Sequence, residues 1–281
     1  PFYRDHTQYG SMVAFFVPVA FAFLLMPKRS IYGRFAFIVI CGLLVFALVY
    51  SYSRAAWLSV FLAFGVWLVV KLRIRIWALI MSSMVLAVIA LVSFDDVLTQ
   101  LQKNKTDSSD NLVENVESIT NITTDASNLE RINRWRAVFA MAAERPVFGF
   151  GPGTYMFEYA PYQRSQDLTI ISTNFGDVGN AHSEYLGPLA ETGIPGFLLM
   201  VSLVVLIFYR AFHAYQHLAR RPVLRHLLLF TTLALLTYFS HGVLNNFLDS
   251  DKASVPVFGG MAIIVALDLL SQQRTGKESP G

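Results

Sequence analysis

Four residues in this chain could do chemistry together: one histidine and three arginines. His182 lies in the stretch Asn180-Ala181-His182-Ser183-Glu184-Tyr185-Leu186-Gly187, which reads as a polar entry to a short helix. Ser183 or Asn180 can cap its start, Gly193 suits the left-handed position past its end, and Pro195 blocks continuation. At such a helix start the positive end of the dipole disfavours imidazolium, which predicts a neutral ring able to accept a proton near pH 7. The plainer reading is that His182 caps the helix at the boundary between water and lipid.

Arg54 stands in Ser51-Tyr52-Ser53-Arg54-Ala55-Ala56-Trp57, between the second and third apolar runs. It is either an anchor that snorkels to the interface or a site residue facing a cavity. Arg131 and Arg134 fall in a helical pattern from Leu129 to Arg145 that stops before Pro146. At about 100° per residue, Ile132, Trp135, Val138, Phe139 and Ala142 share one face. Arg131 lies within that arc, Arg134 on its edge, and Arg136 points away as a solvated residue. A buried Arg131 requires a partner, either a carboxylate such as Glu191 or the phosphate of a ligand. Arginine is the natural ligand for phosphate, because its planar fork makes bidentate, charge-assisted hydrogen bonds. One histidine with two or three arginines therefore suits transfer from a diphosphate-linked donor.

Composition says where such a site would sit. Of 281 residues, 54% are hydrophobic and only 15% are charged, against roughly 25% charged in a soluble domain. The chain reads as a membrane protein. It begins at Pro1 with no signal-like segment before the first apolar run, and is expected to be part of a longer chain whose N-terminal portion is missing. The single cysteine, Cys41, can form no intrachain disulfide. No metal-ligand spacing, paired cysteines or serine-hydrolase motif occurs, so no metal site is predicted.

Seven apolar runs approach the length of about 17–25 residues that crosses a bilayer as a helix. They are Tyr9–Met26, Ile31–Tyr50, Ala55–Val70, Ile76–Phe94, Ile194–Tyr209, Leu224–Leu244 and Ala253–Leu270. The expected fold is all-α, a polytopic membrane helix bundle of about seven transmembrane helices with a large, partly helical periplasmic loop. Residues 1–94 would hold helices one to four, 95–181 the loop, and 182–281 the His-bearing helix and the last three spans. Lys28, Arg29, Arg34, Lys71, Arg73, Arg75, Arg210, Arg220, Arg221, Arg225, Arg274 and Lys277 all fall in alternate connections. This places those connections and the C-terminus in the cytoplasm and the long loop outside. Lys103 to Ser127 is rich in Asn, Asp, Ser and Thr and reads as a mobile tip; its two glycosylation sequons, at Asn104 and Asn121, are weak evidence. The glycine-rich Gly149-Phe150-Gly151-Pro152-Gly153 could cradle phosphate, but it lacks a strand–turn–helix context and Pro152 removes a donor. It is read as a tight turn. Asp5, His6, His241, Asn245, Asn246, Asp249, Asp251 and Lys252 add polar groups at the outer ends of the spans.

The stretch from Asn180 to Gly196 resembles the His-containing signature of the O-antigen ligase and polymerase superfamily. Ser53-Arg54-Ala55-Ala56-Trp57 is similar to that family's Arg motif, and Arg131-x-x-x-Trp135 with Pro146, Gly149 and Gly151 to its loop motif. The resemblance covers the chain from about Asp5 to Leu270. It implies a bacterial inner-membrane glycosyltransferase that moves a glycan from undecaprenyl diphosphate to an acceptor, lipid A–core or another glycan, at the periplasmic face. His182 would then be the catalytic base. Arg54 and Arg131, with Arg134 beside them, would bind diphosphate, and Glu191 and Asn180 would support the site. The arginines and the histidine are expected to converge at the outer membrane surface. No nucleotide sugar, metal or other cofactor is implied, and no nucleic-acid partner. A polymerase extending the same glycan is the nearest alternative. A transporter would need polar residues at mid-membrane depth, whereas here the centres of the runs are nearly free of charge. A membrane scaffold would leave Arg131 on a buried face without a purpose.

Overall fold

The computed structural model describes residues 2–3, 5–26, 30–74, 126–169, 172 and 179–272. Among these the secondary structure is entirely helical, with no strand. In chain order the α-helices are α1 (His6–Leu24), α2 (Ile31–Val49), α3 (Arg54–Leu72), α4 (Ala126–Glu144), α5 (Tyr155–Glu158), α6 (Leu186–His217), α7 (Pro222–His241) and α8 (Asp251–Gln272). Six of them, α1, α2, α3, α6, α7 and α8, are long and apolar enough to cross a membrane. The 19 residues of α2 rise about 28 Å, close to a bilayer core of about 30 Å. The fourth apolar run, Ile76–Phe94, lies outside the described residues. So do the Asn104 and Asn121 sequons and all but the end of the polar stretch from Lys103 to Ser127.

The chain divides into two compact units, Pro1–Phe64 with Leu198–Gly281, and Gly65–Phe197. In the first unit α1 packs against α2 and α7, and α7 packs against α8. Met12 and Phe15 of α1, Ile207 and Ala211 of α6, Leu235 and Tyr238 of α7, and Val257 and Ile264 of α8 close one apolar core. Lipid replaces water as the solvent for the rest. Ile38, Leu43 and Phe46 of α2 and Phe61 of α3 stay exposed, as hydrocarbon-facing residues should. Asp5 caps α1 by accepting from the Thr7 N–H at 2.9 Å. The α2–α3 turn lies directly on α1: a Cβ added to Gly10 would stand 2.7 Å from the Ser53 Cβ and 2.8 Å from the Ser51 Oγ. His6 Nδ1 lies 2.9 Å from the Ser51 carbonyl oxygen, and Trp57 Nε1 donates to the Leu48 carbonyl at 2.7 Å. These contacts fix where α3 begins, and so where Arg54 stands.

In the second unit α4 packs its Ala137, Val138 and Met141 against Tyr155, Tyr159, Ala181, Leu189 and Ala190. The break in α6 differs from the expected helix end. Gly193 has φ 72° and ψ −167°, a region open essentially to glycine alone rather than the left-handed helical well. Helix resumes at once, with Pro195 in the first turn of the new segment, where its missing N–H has no helical partner to lose. The helix therefore runs on to His217, well past the apolar run that ends at Tyr209.

The glycine-rich segment after α4 is a strap across this break. Phe150 N donates to the Ala190 carbonyl at 3.0 Å, Gly151 N to the Glu191 carbonyl at 2.8 Å, and Ile194 N to the Pro146 carbonyl at 2.8 Å. The strap's N–H groups thus cap the carbonyls that the broken helix leaves open, which is why they do not form a phosphate cradle. A Cβ at Gly193 would stand 2.5 Å from the Val147 carbonyl oxygen, and one at Gly149 2.4 Å from the Glu191 carbonyl carbon. Gly193→Ala should lower the thermal unfolding midpoint in detergent by several degrees, at a cost of about 2 kcal/mol or more. Gly65→Ala, whose added Cβ meets nothing within 4 Å, should leave it unchanged or raise it slightly. Equal midpoints for both variants would contradict the strap's role.

Candidate functional site

His182 stands in a short loop that three neighbours hold in one shape. Asn180 Oδ1 accepts from the His182 backbone N–H at 3.0 Å, and Trp135 Nε1 donates to the His182 carbonyl at 3.4 Å. Between them the residue adopts φ 48°, a left-handed conformation that costs an L-residue about 1 kcal/mol. Ser183 Oγ then accepts from the N–H groups of Tyr185 and Leu186 at 3.3 and 3.4 Å. Of the two candidate caps, Ser183 takes the helix start and Asn180 makes the turn before it. His182, half-buried, sits just outside the N-terminus of α6. Burial and the neighbouring Glu184 push the Tyr185 hydroxyl up to about 12, so it stays protonated throughout the physiological range.

The buried face of α4 is not the one that apolar spacing predicts. Glu130, Asn133 and Arg134 are enclosed with Ala137, Val138 and Met141, whereas Phe139 is 57% exposed. The reason is mutual neutralisation. Arg134 Nε meets Glu130 Oε1 at 2.6 Å, one turn away, with side chains only 3% and 5% exposed. Ser172 Oγ donates to the other Glu130 oxygen, and the Arg134 guanidinium lies 3.9 Å above the Tyr159 ring. The Tyr155 hydroxyl donates to the Arg134 carbonyl at 3.1 Å, and burial pushes that hydroxyl far above the usual phenol range.

Gly179 rests on this pair. An added Cβ there would stand 2.1 Å from Arg134 Nη1 and 2.6 Å from the Tyr159 ring. The chain can approach the guanidinium only because residue 179 has no side chain, and Asn180 and His182 follow immediately. Glu130, Tyr159 and Gly179 were not among the residues singled out from sequence. The i,i+4 spacing of Glu130 and Arg134 is the signal that could have found the pair.

Arg136 also departs from expectation. It is not a solvated residue, because its Nη1 pairs with Oδ2 of the fully buried Asp167. Arg131 is half-buried, and its Nη1 reaches the Ser127 carbonyl at 3.3 Å, Ser127 Oγ at 2.9 Å and Asn128 Oδ1 at 3.1 Å. Glu191 Oε1 accepts from the Tyr155 backbone N–H at 3.2 Å and so caps the start of α5, which lacks a side-chain cap from Thr154. His182, Asn180, Trp135, Arg134 and Glu191 therefore belong to one packed assembly in the second unit.

Arg54 opens α3 in the first unit and is half-buried there. At the α7–α8 turn of that unit, His241 and Asn245 are buried, Gln8 Nε2 donates to Ser250 Oγ at 2.6 Å, and Lys252 Nζ lies 4.4 Å above the Phe2 ring. Asp249 and Asp251 remain exposed. Among the described residues, no cluster of three or more His, Cys, Asp or Glu side chains could hold a metal ion.

A multi-pass helical membrane protein with a structured His-bearing segment outside its spans is the class that these features define. The sequence model of the family described as O-antigen ligase matches residues 39–201, more than half of the chain. The chain belongs to the O-antigen ligase family. The matched segment runs from within α2 through the strap and the His182 loop to the resumed part of α6. No curated protein matches the chain closely enough to count as a relative.

Trp135→Phe keeps the ring but removes the donor to the His182 carbonyl, a bond worth about 1 kcal/mol. Amide hydrogen exchange across residues 179–187 should quicken about five-fold while that of α7 and α8 stays the same. Unchanged exchange at 179–187 would show that the indole does not hold the loop.

Proposed function

We propose that this protein transfers a glycan from undecaprenyl diphosphate to the lipid A–core acceptor at the periplasmic face of the bacterial inner membrane. Family membership supports a ligase- or polymerase-type glycosyltransferase. The observation that carries the finer reading is the fixed conformation of His182, whose backbone N–H and carbonyl are both held by side chains of the same unit. A strained, hydrogen-bonded residue at a helix entry is what a preorganised catalytic group requires. The alternation of basic connections along the chain supports the periplasmic side.

In this reading the acceptor hydroxyl oxygen attacks the anomeric carbon of the donor sugar. His182 takes the hydroxyl proton as the new C–O bond forms. The bond from the anomeric carbon to the diphosphate oxygen breaks, and undecaprenyl diphosphate leaves with that electron pair. Arg131 binds the departing diphosphate, and Arg54, at the start of α3, keeps the same role by family resemblance. Asn180 orients His182, and Glu191 supports the site by fixing α5. Arg134 acts by shaping the loop, because its charge already lies on Glu130. No cofactor enters this scheme; the sugar arrives activated by its diphosphate.

The test is glycan transfer in membranes from cells expressing each variant at matched levels. His182→Ala should lower transfer by about a hundred-fold or more, and a wild-type rate would remove His182 as the base. Arg131→Ala should weaken use of the diphosphate donor about ten-fold or more with little change in unfolding midpoint. Undiminished turnover would take Arg131 out of the site. The product decides between ligase and polymerase: a capped lipid A–core supports the ligase, and a lengthened lipid-linked glycan would replace it with the polymerase.

A further inference from the structure

From Thr192 to Leu248 the chain carries four arginines and not one carboxylate. All four lie near the hairpin between α6 and α7, and their fates differ. Arg210 pairs with Oδ2 of Asp268 on α8, a side chain 2% exposed, which His213 Nδ1 also approaches at 3.6 Å and Gln272 Nε2 contacts at 3.1 Å. That carboxylate is already engaged through Oδ2 by Arg210 and Gln272. Arg220, Arg221 and Arg225 have no carboxylate partner among the described residues. Arg225 is nonetheless held: its guanidinium lies 4.1 Å above the Tyr215 ring, with Nε enclosed and without a hydrogen-bond partner. Arg221 occupies the N-cap position of α7 but makes no side-chain cap bond. Phe212 near the end of α6 and Val223 at the start of α7 are exposed beside this hairpin.

Three guanidiniums without a carboxylate partner among the described residues, at the end of two spanning helices and flanked by exposed apolar side chains, match an amphiphile with a phosphate head and hydrocarbon tails. We propose that the α6–α7 hairpin binds the headgroup of an anionic bilayer phospholipid through Arg220, Arg221 and Arg225. Charge sets the sign of the partner, and the planar fork of arginine favours phosphate oxygens over a diffuse anion cloud. The held Arg225 gives the surface one preformed donor, while Arg220 and Arg221 are placed by the turn. A basic segment at headgroup depth gains about five-fold in affinity per basic residue from an anionic leaflet. The surface belongs to the basic connections of the sequence, and the proposal does not depend on which glycan is moved.

The experiment uses the full chain in detergent, titrated with phosphatidylglycerol or with phosphatidylcholine of the same acyl chains, and reads retained lipid by native mass spectrometry. The wild type should retain phosphatidylglycerol about ten-fold or more over phosphatidylcholine. Arg220→Gln/Arg221→Gln/Arg225→Gln should lose that preference, and Arg145→Gln, in the other unit, should keep it. Arg220→Gln alone changes an exposed side chain and should reduce the preference about five-fold even if the triple variant does not fold. Equal retention of both lipids, a preference unchanged by Arg220→Gln, or full displacement of phosphatidylglycerol by millimolar inorganic phosphate would overturn the proposal.

Discussion

Taking a guanidinium out of water costs several kcal/mol unless a counter-charge and hydrogen bonds go with it. The second unit is arranged around one such group. Arg134 is enclosed with Glu130 one turn before it on the same helix, so the two charges neutralise each other without a charge from another element. Tyr159 then covers the cation's face, and Ser172 satisfies the remaining carboxylate oxygen. The segment that carries His182 is laid over this covered pair, with Gly179 touching the guanidinium itself. A site whose geometry rests on a buried ion pair is stiff for a physical reason: moving the loop would expose or unpair a charge in a low-dielectric setting.

The helix break works in the same direction from the other side. A broken helix leaves carbonyls without donors, and the strap after α4 supplies them from Phe150 and Gly151 while the free Ile194 N–H returns to Pro146. Both glycines that permit this, Gly149 and Gly193, have positive φ and backbone atoms of the opposing segment where a Cβ would stand. The short helical turn between His182 and Gly193 is thus fixed at its start by Ser183 and at its end by the strap.

Much of the fold was legible because membrane helices advertise themselves. Runs of apolar residues long enough to cross hydrocarbon have few other uses: five of the seven expected spans appear as helices within a few residues of their expected ends, and a sixth, Ile194–Tyr209, lies inside the longer α6. Asp5 and Ser30 start helices as sequence rules require. The His182 entry was legible too, with Ser183, which takes the helix start, one of the two caps the sequence offered. What sequence reading misjudged was α4, and for one reason. Apolar periodicity follows only the apolar side chains, so it left Arg134 at the edge of the buried face, passed over Glu130 and turned Phe139 inward. Arg136 was assigned to solvent by the same rule, although Asp167, more than thirty residues on, draws it against the core. Long-range charge pairing carries no periodic signal. The Gly193 break was read as a helix end, because nothing local in the sequence reports that the strap would supply donors and let the helix resume.

The central claim is that the Glu130–Arg134 pair acts as a single unit supporting the His182 loop. A double-mutant cycle on unfolding free energy tests it most directly, with Glu130→Ala, Arg134→Ala and the double variant in the same detergent. Each single variant leaves a buried charge without its partner, so each should be strongly destabilised, and the double variant should lose about 2 kcal/mol less than their sum. Additivity within about 0.5 kcal/mol would contradict the account, because it would mean that the two charges do not depend on one another in the folded protein.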